Sequence, residues 1–519
     1  MKIVTAAQMH GLDRRTIEEA GIAGTTLMEH AGQGLATCLE KTFGSPTGKR
    51  VTIVCGKGNN GGDGLVLARI LHQQQSIIRV LLLSETHTLT HDAQTMYQRF
   101  IELAGPTVIS TLPSAYDIQE TTTHSELIVD ALLGTGITAD VQGLYRTAIE
   151  AMNASRVPVL AVDLPSGIHA DNGTILGVAV RATLTVTFGY PKLGLYLGEA
   201  IDYTGKIIPV DIGIPPHYIE SMAIDTHLLS RENTFHLIPA RPMSSHKGRF
   251  GHAAIIAGSI GKTGAAALAA KAALRIGTGL VTVATPTSAN AILEGQVLEA
   301  MTTPMPETPE GTLAQTAFET LRIFTKNRTA VAIGPGLSTH AETAEVIRSL
   351  LPELDCPCVI DADALNALAG QPELLQTCSV QPIVTPHPGE MARLVGEVSP
   401  QAVNQDRLGI ARRFARQTGA IVILKGARTI VAGPDGKAAI CPAGNPGMAT
   451  AGMGDVLTGT VVGLLAQGLS PWNAACLGVY LHGLAGDLAS QRWGQPGLIA
   501  GDVLETLPHI FNKTFPSGL

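Results

Sequence analysis

The 519-residue chain reads as two α/β domains, each a mostly parallel sheet covered by helices. Three observations predict this. Short apolar runs alternate with longer helical patterns along the whole chain. Polar and glycine-rich motifs follow those runs, at the strand ends where parallel sheets bind their ligands. The length, at ~100 to 200 residues per domain, also calls for more than one core.

The strand-like runs of the first half are Val51 to Cys55, Val80 to Leu83, Leu127 to Leu132 and Val159 to Val162. Those of the second half are Ala253 to Ala257, Leu280 to Ala284, Ala330 to Ile333, Cys358 to Ile360, Ile383 to Val384 and Ala420 to Leu424. Pro215, Pro216, Pro239 and Pro242 bracket a stretch without a strong strand run, which puts a cut near residue 230 and domains at 1–225 and 226–519. The halves share no motif, so two different sites are expected.

Composition narrows the partners. Apolar residues make up 45% and charged residues 15%, which excludes a disordered chain. A net charge of −7 is the wrong sign for holding a nucleic-acid backbone. Seven cysteines without metal-ligand spacing suit reduced thiols in a cytoplasmic protein. Neither a signal peptide nor a membrane span is expected, since the longest apolar stretch, Val456 to Ala466, is broken by Thr458, Gly459 and Gly463.

In the first half, Val51 to Cys55 runs into Gly56-Lys57-Gly58-Asn59-Asn60-Gly61-Gly62-Asp63-Gly64, with a helical pattern from Leu65 to Leu71. Glycines let backbone approach a ligand, and amides at a helix start favour an anion such as pyrophosphate. The same glycines also suit a plain strand-to-helix turn. Two further strand ends carry acids, Asp130 before Ala131-Leu132-Leu133-Gly134-Thr135-Gly136, and Asp163 before Leu164-Pro165-Ser166-Gly167. Asn60, Asp130, Asp163 and Ser166 can converge as oxygen ligands of a hard cation, or Asp163 can serve as a general acid or base. Asp130 has a plainer alternative as a helix N-cap.

In the second half, Gly258-Ser259-Ile260-Gly261-Lys262-Thr263 fails as a P-loop because Ile256 stands where the first glycine is needed. The stronger signal is Gly444-Asn445-Pro446-Gly447-Met448-Ala449-Thr450-Ala451-Gly452-Met453-Gly454-Asp455 ahead of a helical pattern. Amides at Gly452, Met453 and Gly454 form an anion hole for a transferring phosphoryl group, and Asp455 behind them can take a hydroxyl proton.

The segments QMHGLDRRTIEEAGIAGTTLMEHAG, CGKGNNGGDGL, DALLGTG, AVDLPSGI, TVTFGYPKLGL and DIGIP resemble the epimerase domain of the NAD(P)H-hydrate repair proteins, over about residues 1 to 215. That resemblance implies a Rossmann-like three-layer domain. It implies that Asn59, Asn60, Gly61, Gly62 and Asp63, with Gly134, Thr135, Gly136, Ile137, Thr138, Ala139 and Asp140, bind the hydrated nucleotide, which Asp163 also contacts. Asn60, Asp130 and Ser166 match the family's K+ ligands. His30 stands where the family usually has Asn.

The G-x-G-D arrangement resembles the ribokinase superfamily. SHKGRFGHAAIIAGS, GAAALAAKAALRIGTGLVTVAT, IGPGL, DADAL, TPHPGEMARL, LKGARTIV and GNPGMATAGMGDVLTG narrow this to the ADP-dependent NAD(P)H-hydrate dehydratases, over about residues 236 to 512. The implied fold is a ribokinase-like three-layer domain. Ala265, Gly336, His387 and Asp455 would contact the hydrated nucleotide, and Lys425, Gly426, Ala427, Arg428, Thr429 and Gly454 would line the ADP site, with Mg2+ accompanying ADP. Ala451 replaces a common Gly. For His387, a loop histidine between Pro386 and Pro388 is the plainer alternative.

Together the resemblances imply a bifunctional enzyme, an isomerase for the R and S hydrates of NADH and NADPH and a lyase that dehydrates the S form with ADP, giving AMP and phosphate. Its partners would be small molecules, without nucleic acid or membrane, in a homo-oligomer. The competing expectation is a small-molecule kinase whose first half senses nucleotides or binds a partner.

Overall fold

The computed structural model describes residues 1–396 and 399–512. Positions 513–519, which the sequence reading included in the second domain, lie outside them. The chain forms two compact units, one of Lys2–Ile224 and the other beginning at Asp225 and including Met1.

The first unit is built on strands β1 (Arg50–Cys55), β2 (Ile77–Leu82), β3 (Ile109–Thr111), β4 (Leu127–Ala131), β5 (Val159–Val162), β6 (Leu184–Phe188) and β7 (Lys206–Val210). Their order is β3-β2-β1-β4-β5-β6-β7. Every pairing is parallel. Burial on both faces explains why β4 and β5 read as continuous apolar runs rather than alternating ones. Helices Gly24–Phe43 and Asn59–Gln73 cover one face through Leu35, Leu39, Leu67 and Leu71. Helix Gly143–Ala154 covers the other through Ala148, Ile149 and Met152. The strand order reverses between β1 and β4, so the loops after these two strands diverge and open a crevice at the carboxyl edge.

The second unit contains β8 (Thr226–Leu228), β9 (His252–Ile256), β10 (Leu280–Pro286), β11 (Met301–Met305), β12 (Ala330–Ile333), β13 (Cys358–Ile360), β14 (Ile383–Val384), β15 (Ile421–Leu424), β16 (Ile430–Ala432) and β17 (Ala438–Ile440). They run in the order β11-β10-β9-β12-β13-β14-β15-β16-β17-β8. From β11 to β15 the sheet is parallel. Strands β15, β16 and β17 then pair antiparallel. The turn between the last two is Gly433-Pro434-Asp435-Gly436, a sequence suited to reversing the chain. Strand β8 falls in the proline-bracketed stretch that reads as strand-free, because three residues paired to one neighbour need no apolar run of their own. Alanines 266, 269, 270 and 273 let helix Thr263–Arg275 lie close against helix Met453–Ala466, whose N-terminus carries the second set of motifs.

Candidate functional sites

In the first unit, helix Asn59–Gln73 begins six residues before the Leu65 expected from its apolar pattern. Asn60, Gly61, Gly62 and Asp63 are therefore buried residues of its first turns, while Asn59 is exposed and its Oδ1 accepts a 2.8 Å bond from Thr90. The glycines serve packing here. A Cβ at Gly61 would lie 2.0 Å from the Gly56 carbonyl oxygen, so only glycine lets the helix start directly on the end of β1.

Asp130, at the end of β4, is wholly buried. Its Oδ1 accepts from Ser166 Oγ at 2.6 Å and from the Leu132 amide at 3.3 Å, and its Oδ2 accepts from the Ser166 amide at 2.7 Å. Ser166 Oγ in turn accepts from the Leu133 amide at 2.8 Å, and Asn60 Nδ2 donates to the Leu133 carbonyl at 3.1 Å. Asn60, Asp130 and Ser166 thus meet in one hydrogen-bonded knot around Leu133. The N-cap alternative for Asp130 fails, since the next helix begins at Gly143. Burial raises Asp130 to about 6, against the opposing bonds from Ser166 and Leu132.

The loop from Gly134 to Asp140 leaves this knot and becomes exposed. Gly134 faces the Asn60 side chain, Thr135 Oγ1 lies 2.9 Å from His10 Nε2, and Gly136, Ile137, Thr138 and Ala139 carry the loop onward to Asp140.

Asp163 ends β5 with a left-handed φ of 63°. Its Oδ1 accepts from Lys192 Nζ at 2.5 Å, Thr187 Oγ1 at 3.0 Å and the Phe188 amide at 3.2 Å. Lys192 is only 1% exposed, and its Nζ also donates to the Phe188 carbonyl at 3.0 Å. Asp63 and Asp13 share this neighbourhood. Burial, then the charges of Asp163 and Asp13, push Asp63 well above the usual carboxylate range, with Lys192 opposing. Burial raises Asp13 to about 6; Lys192 opposes it, Asp163 adds to it and His10 opposes it. Lys192 and Asp13 had gone unassigned although both stand in quoted segments; the available signals were a lysine shortly after a buried strand and an acid on an otherwise apolar helix face. His30 Nδ1 donates to the Ile212 carbonyl at 2.8 Å, so this departure ties its helix to the segment after β7.

In the second unit, Gly452 has a φ of 86° and caps helix Met453–Ala466, so the amides of the Gly452–Gly454 segment stand at a helix N-terminus with Asp455 in the first turn. Burial and then the Asp361 charge raise Asp455 to about 7; Lys425 lowers it and Asp363 adds a smaller rise. Lys425 Nζ lies 2.7 Å from Asp361 Oδ1 and 3.6 Å from Glu390 Oε2. Asp361 Oδ2 accepts from Thr458 Oγ1 at 2.7 Å, which ties β13 to the Asp455 helix. Burial alone would lower the Lys425 ammonium, but Asp361 and Glu390 raise it, so it stays charged. Asp361 and Glu390 are functional neighbours that sequence reasoning missed. Asp361 nevertheless repeats the signal that pointed to Asp130 and Asp163, an acid directly after a buried strand.

Of the remaining expected residues, His387 shares Glu390 with Lys425, and Gly336 and Ala265 meet each other. Gly336 faces Ala265, where a Cβ on the glycine would come within 3.2 Å of the alanine Cβ. His387 is an N-cap: its Nδ1 accepts from the Gly389 and Glu390 amides at 2.9 and 3.3 Å, which leaves Nε2 as its other polar atom. Burial lowers its basicity, against the Glu390 carboxylate, whose Oε1 lies 3.5 Å from Nε2. The segment Lys425-Gly426-Ala427-Arg428-Thr429 is held from behind by Arg407, which donates to the Leu424 and Lys425 carbonyls at 3.1 Å and to that of Ala427. Arg428 donates to the Pro442 carbonyl and Thr429 Oγ1 to the Gly426 carbonyl. Lys425 and Arg428 thus both have inward partners.

Residues 253–509 match the family model of NAD(P)H-hydrate dehydratase, and residues 24–194 match that of the YjeF-related protein N-terminus. A protein of Moorella thermoacetica described as bifunctional NAD(P)H-hydrate repair enzyme Nnr is 43% identical over 515 residues, which are 99% of this chain and 97% of that protein. The chain belongs to the bifunctional NAD(P)H-hydrate repair enzymes. The Escherichia coli repair enzyme of the same description is 34% identical over 500 residues, covering 95% of this chain and 92% of its own length. A crystal structure of the ADP/ATP-dependent NAD(P)H-hydrate dehydratase from Bacillus subtilis, co-crystallised with ATP and Mg2+, is 29% identical, covers 56% of this chain and all of that one, and has a TM-score of 0.49. The repair-enzyme family accounts for the two units and their unlike sites. No helix among the described residues is long and apolar enough to cross a membrane.

Proposed function

We propose that the chain carries out both halves of nicotinamide nucleotide repair, epimerising the R and S hydrates in the first unit and dehydrating the S hydrate with ADP in the second. The observation that carries this reading is Asp455 at about 7, next to glycine amides at a helix start. A base poised near neutrality beside an anion hole suits transfer of a phosphoryl group to a hydroxyl.

Water is a poor leaving group, and a phosphate ester is a good one. Asp455 accepts the proton of the C6 hydroxyl as its oxygen attacks the terminal phosphorus of ADP and AMP departs. The Gly452, Met453 and Gly454 amides hold the phosphoryl oxygens as charge develops. Phosphate then leaves C6, a proton leaves C5, and the dihydropyridine double bond is restored. Ala265, Gly336 and His387 border the hydrated nucleotide. The Lys425–Thr429 segment and Gly454 border ADP. Mg2+ would accompany ADP and supply positive charge at its phosphates.

In the first unit, the hydrated nucleotide lies along Asn59–Asp63 and Gly134–Asp140, with Asp163 moving a proton at the C6 oxygen. One buried carboxylate among neutral oxygens of Asn60, Ser166 and Leu133 suits a monovalent cation, and these residues would hold K+. The cation would add positive charge beside the bound phosphates.

The test is incubation of purified S hydrate with ADP. Return of nicotinamide absorbance with release of AMP and phosphate is expected. Accumulation of a stable phosphorylated nucleotide would make the second unit a kinase.

A further inference from the structure

Asp163 does not stand alone in the first unit. Its Oδ1 is saturated by three donors, the Lys192 ammonium at 2.5 Å among them, and that ammonium is itself 1% exposed. A buried ammonium in a hydrogen-bonded pair needs an anionic partner, because a neutral carboxyl would leave its charge uncompensated. Asp63 is the opposite case. It is 9% exposed on the first turns of the helix after β1, and its carboxyl makes no hydrogen bond or ion pair among the described residues. The groups facing it are Asp163, Asp13 and Lys192, with His10 beyond Asp13. One lysine cannot neutralise three carboxylates in this space; among the described residues Asp63 and Asp13 both lack a donor, and Asp63 is the more buried of the two, so the shared proton goes to Asp63. Burial and the neighbouring charges favour the protonated form of Asp63 accordingly.

We propose that Asp163 and Asp63 form an unequal acid–base pair at the carboxyl edge of the first sheet, Asp163 as the ionised base and Asp63 as the proton donor, with Lys192 as the positioning residue that fixes which is which. This rests on reading the first unit as the epimerase and names the partner that Asp163 requires. Epimerisation at a carbon bearing both a hydroxyl and a ring nitrogen needs one base and one acid together. By ring opening, Asp163 takes the hydroxyl proton, C6–O becomes a carbonyl, the C6–N1 bond breaks and Asp63 delivers a proton to N1. Closure on the other carbonyl face returns both protons. By loss and return of water, Asp63 protonates the leaving hydroxyl, and Asp163 takes the proton of the water that adds to the opposite face. Both routes are redox-neutral; ring opening and closure restores both acids, whereas loss and return of water leaves the proton on Asp163, and that route closes when the proton passes back to Asp63.

Three variants of the full chain test this, with R and S hydrates separated chromatographically and kcat and KM measured separately. Asp63→Asn keeps size but donates no carboxylic proton, and should slow epimerisation by ~10²- to 10⁴-fold in kcat with little change in KM. Lys192→Met should lower kcat for epimerisation with little change in KM, since Asp163 loses the ammonium that holds its Oδ1 in place, and Lys192→Arg should restore much of it. A thermal melt of each variant that keeps the wild-type unfolding transition of the first unit checks that this unit is folded. Near wild-type kcat in Asp63→Asn, or in Lys192→Met, overturns the pair. Wild-type protein that leaves pure R hydrate unchanged would instead overturn the epimerase reading itself.

Discussion

Lys425 Nζ lies 2.7 Å from Asp361 Oδ1, joining the segment after β15 to the end of β13 beside the helix that carries Asp455. Asp361 is buried to 1% exposure, and the Lys425 side chain is mostly covered at 18%. Lysine here does two things at once: it compensates Asp361 and restrains the rise in Asp455.

Lys425→Ala should therefore cost stability as well as function. Truncating one member of a buried ion pair leaves the other charge unpaired, typically ~3 to 5 kcal/mol. Chemical denaturation should show the loss, and titration with ADP should show a larger rise in the ADP requirement than in that for the hydrate. Unchanged stability and ADP dependence would reduce the segment to a surface loop.

Dehydration should depend on pH through Asp455. A base must be ionised to accept a proton, so kcat/KM should fall as the pH drops through about 7. Asp361 is the largest charge raising Asp455, so Asp361→Asn should move that limb to lower pH. A limb in the ordinary carboxylate range in the wild type would remove Asp455 from the role.

Gly61→Ala tests the close approach in the first unit. Its added Cβ meets a backbone oxygen at 2.0 Å, which cannot turn aside as a flexible side chain would. Overpacking of this kind costs ~1 to 3 kcal/mol. Epimerisation should be lost at temperatures where dehydration persists, and equal thermal sensitivity of the two activities would contradict this.

The sheets were legible in the sequence because β4, β5, β12 and β13 are buried on both faces and leave uninterrupted apolar runs. Short or edge strands were not: β3 and β8 each have three residues and a single paired neighbour, so exposure erases their signal. The helix start at Asn59 was hidden by glycines, which oppose helix formation locally and are kept there by the packing against Gly56. Of the two sites, the acids at strand ends could be found by position. Glu390 could not, because what marks it is burial beside Lys425, a lysine distant in sequence.

Asp130→Ala removes the only carboxylate from the knot of Asn60, Ser166 and Leu133. It should abolish K+ stimulation of epimerisation and cripple that activity while dehydration continues. Epimerisation at the wild-type rate, still responsive to K+, would place any cation elsewhere.

The most direct test of two independent sites in one repair enzyme is a single incubation of Asp455→Asn with ADP and a mixture enriched in the R hydrate. The variant keeps the side chain's size but accepts no proton, so recovery of nicotinamide absorbance should fall by ~10²- to 10⁴-fold. In the same samples, chromatography should show R and S interconverting at the wild-type rate. Near wild-type recovery of absorbance, or loss of interconversion in folded protein, would contradict the account.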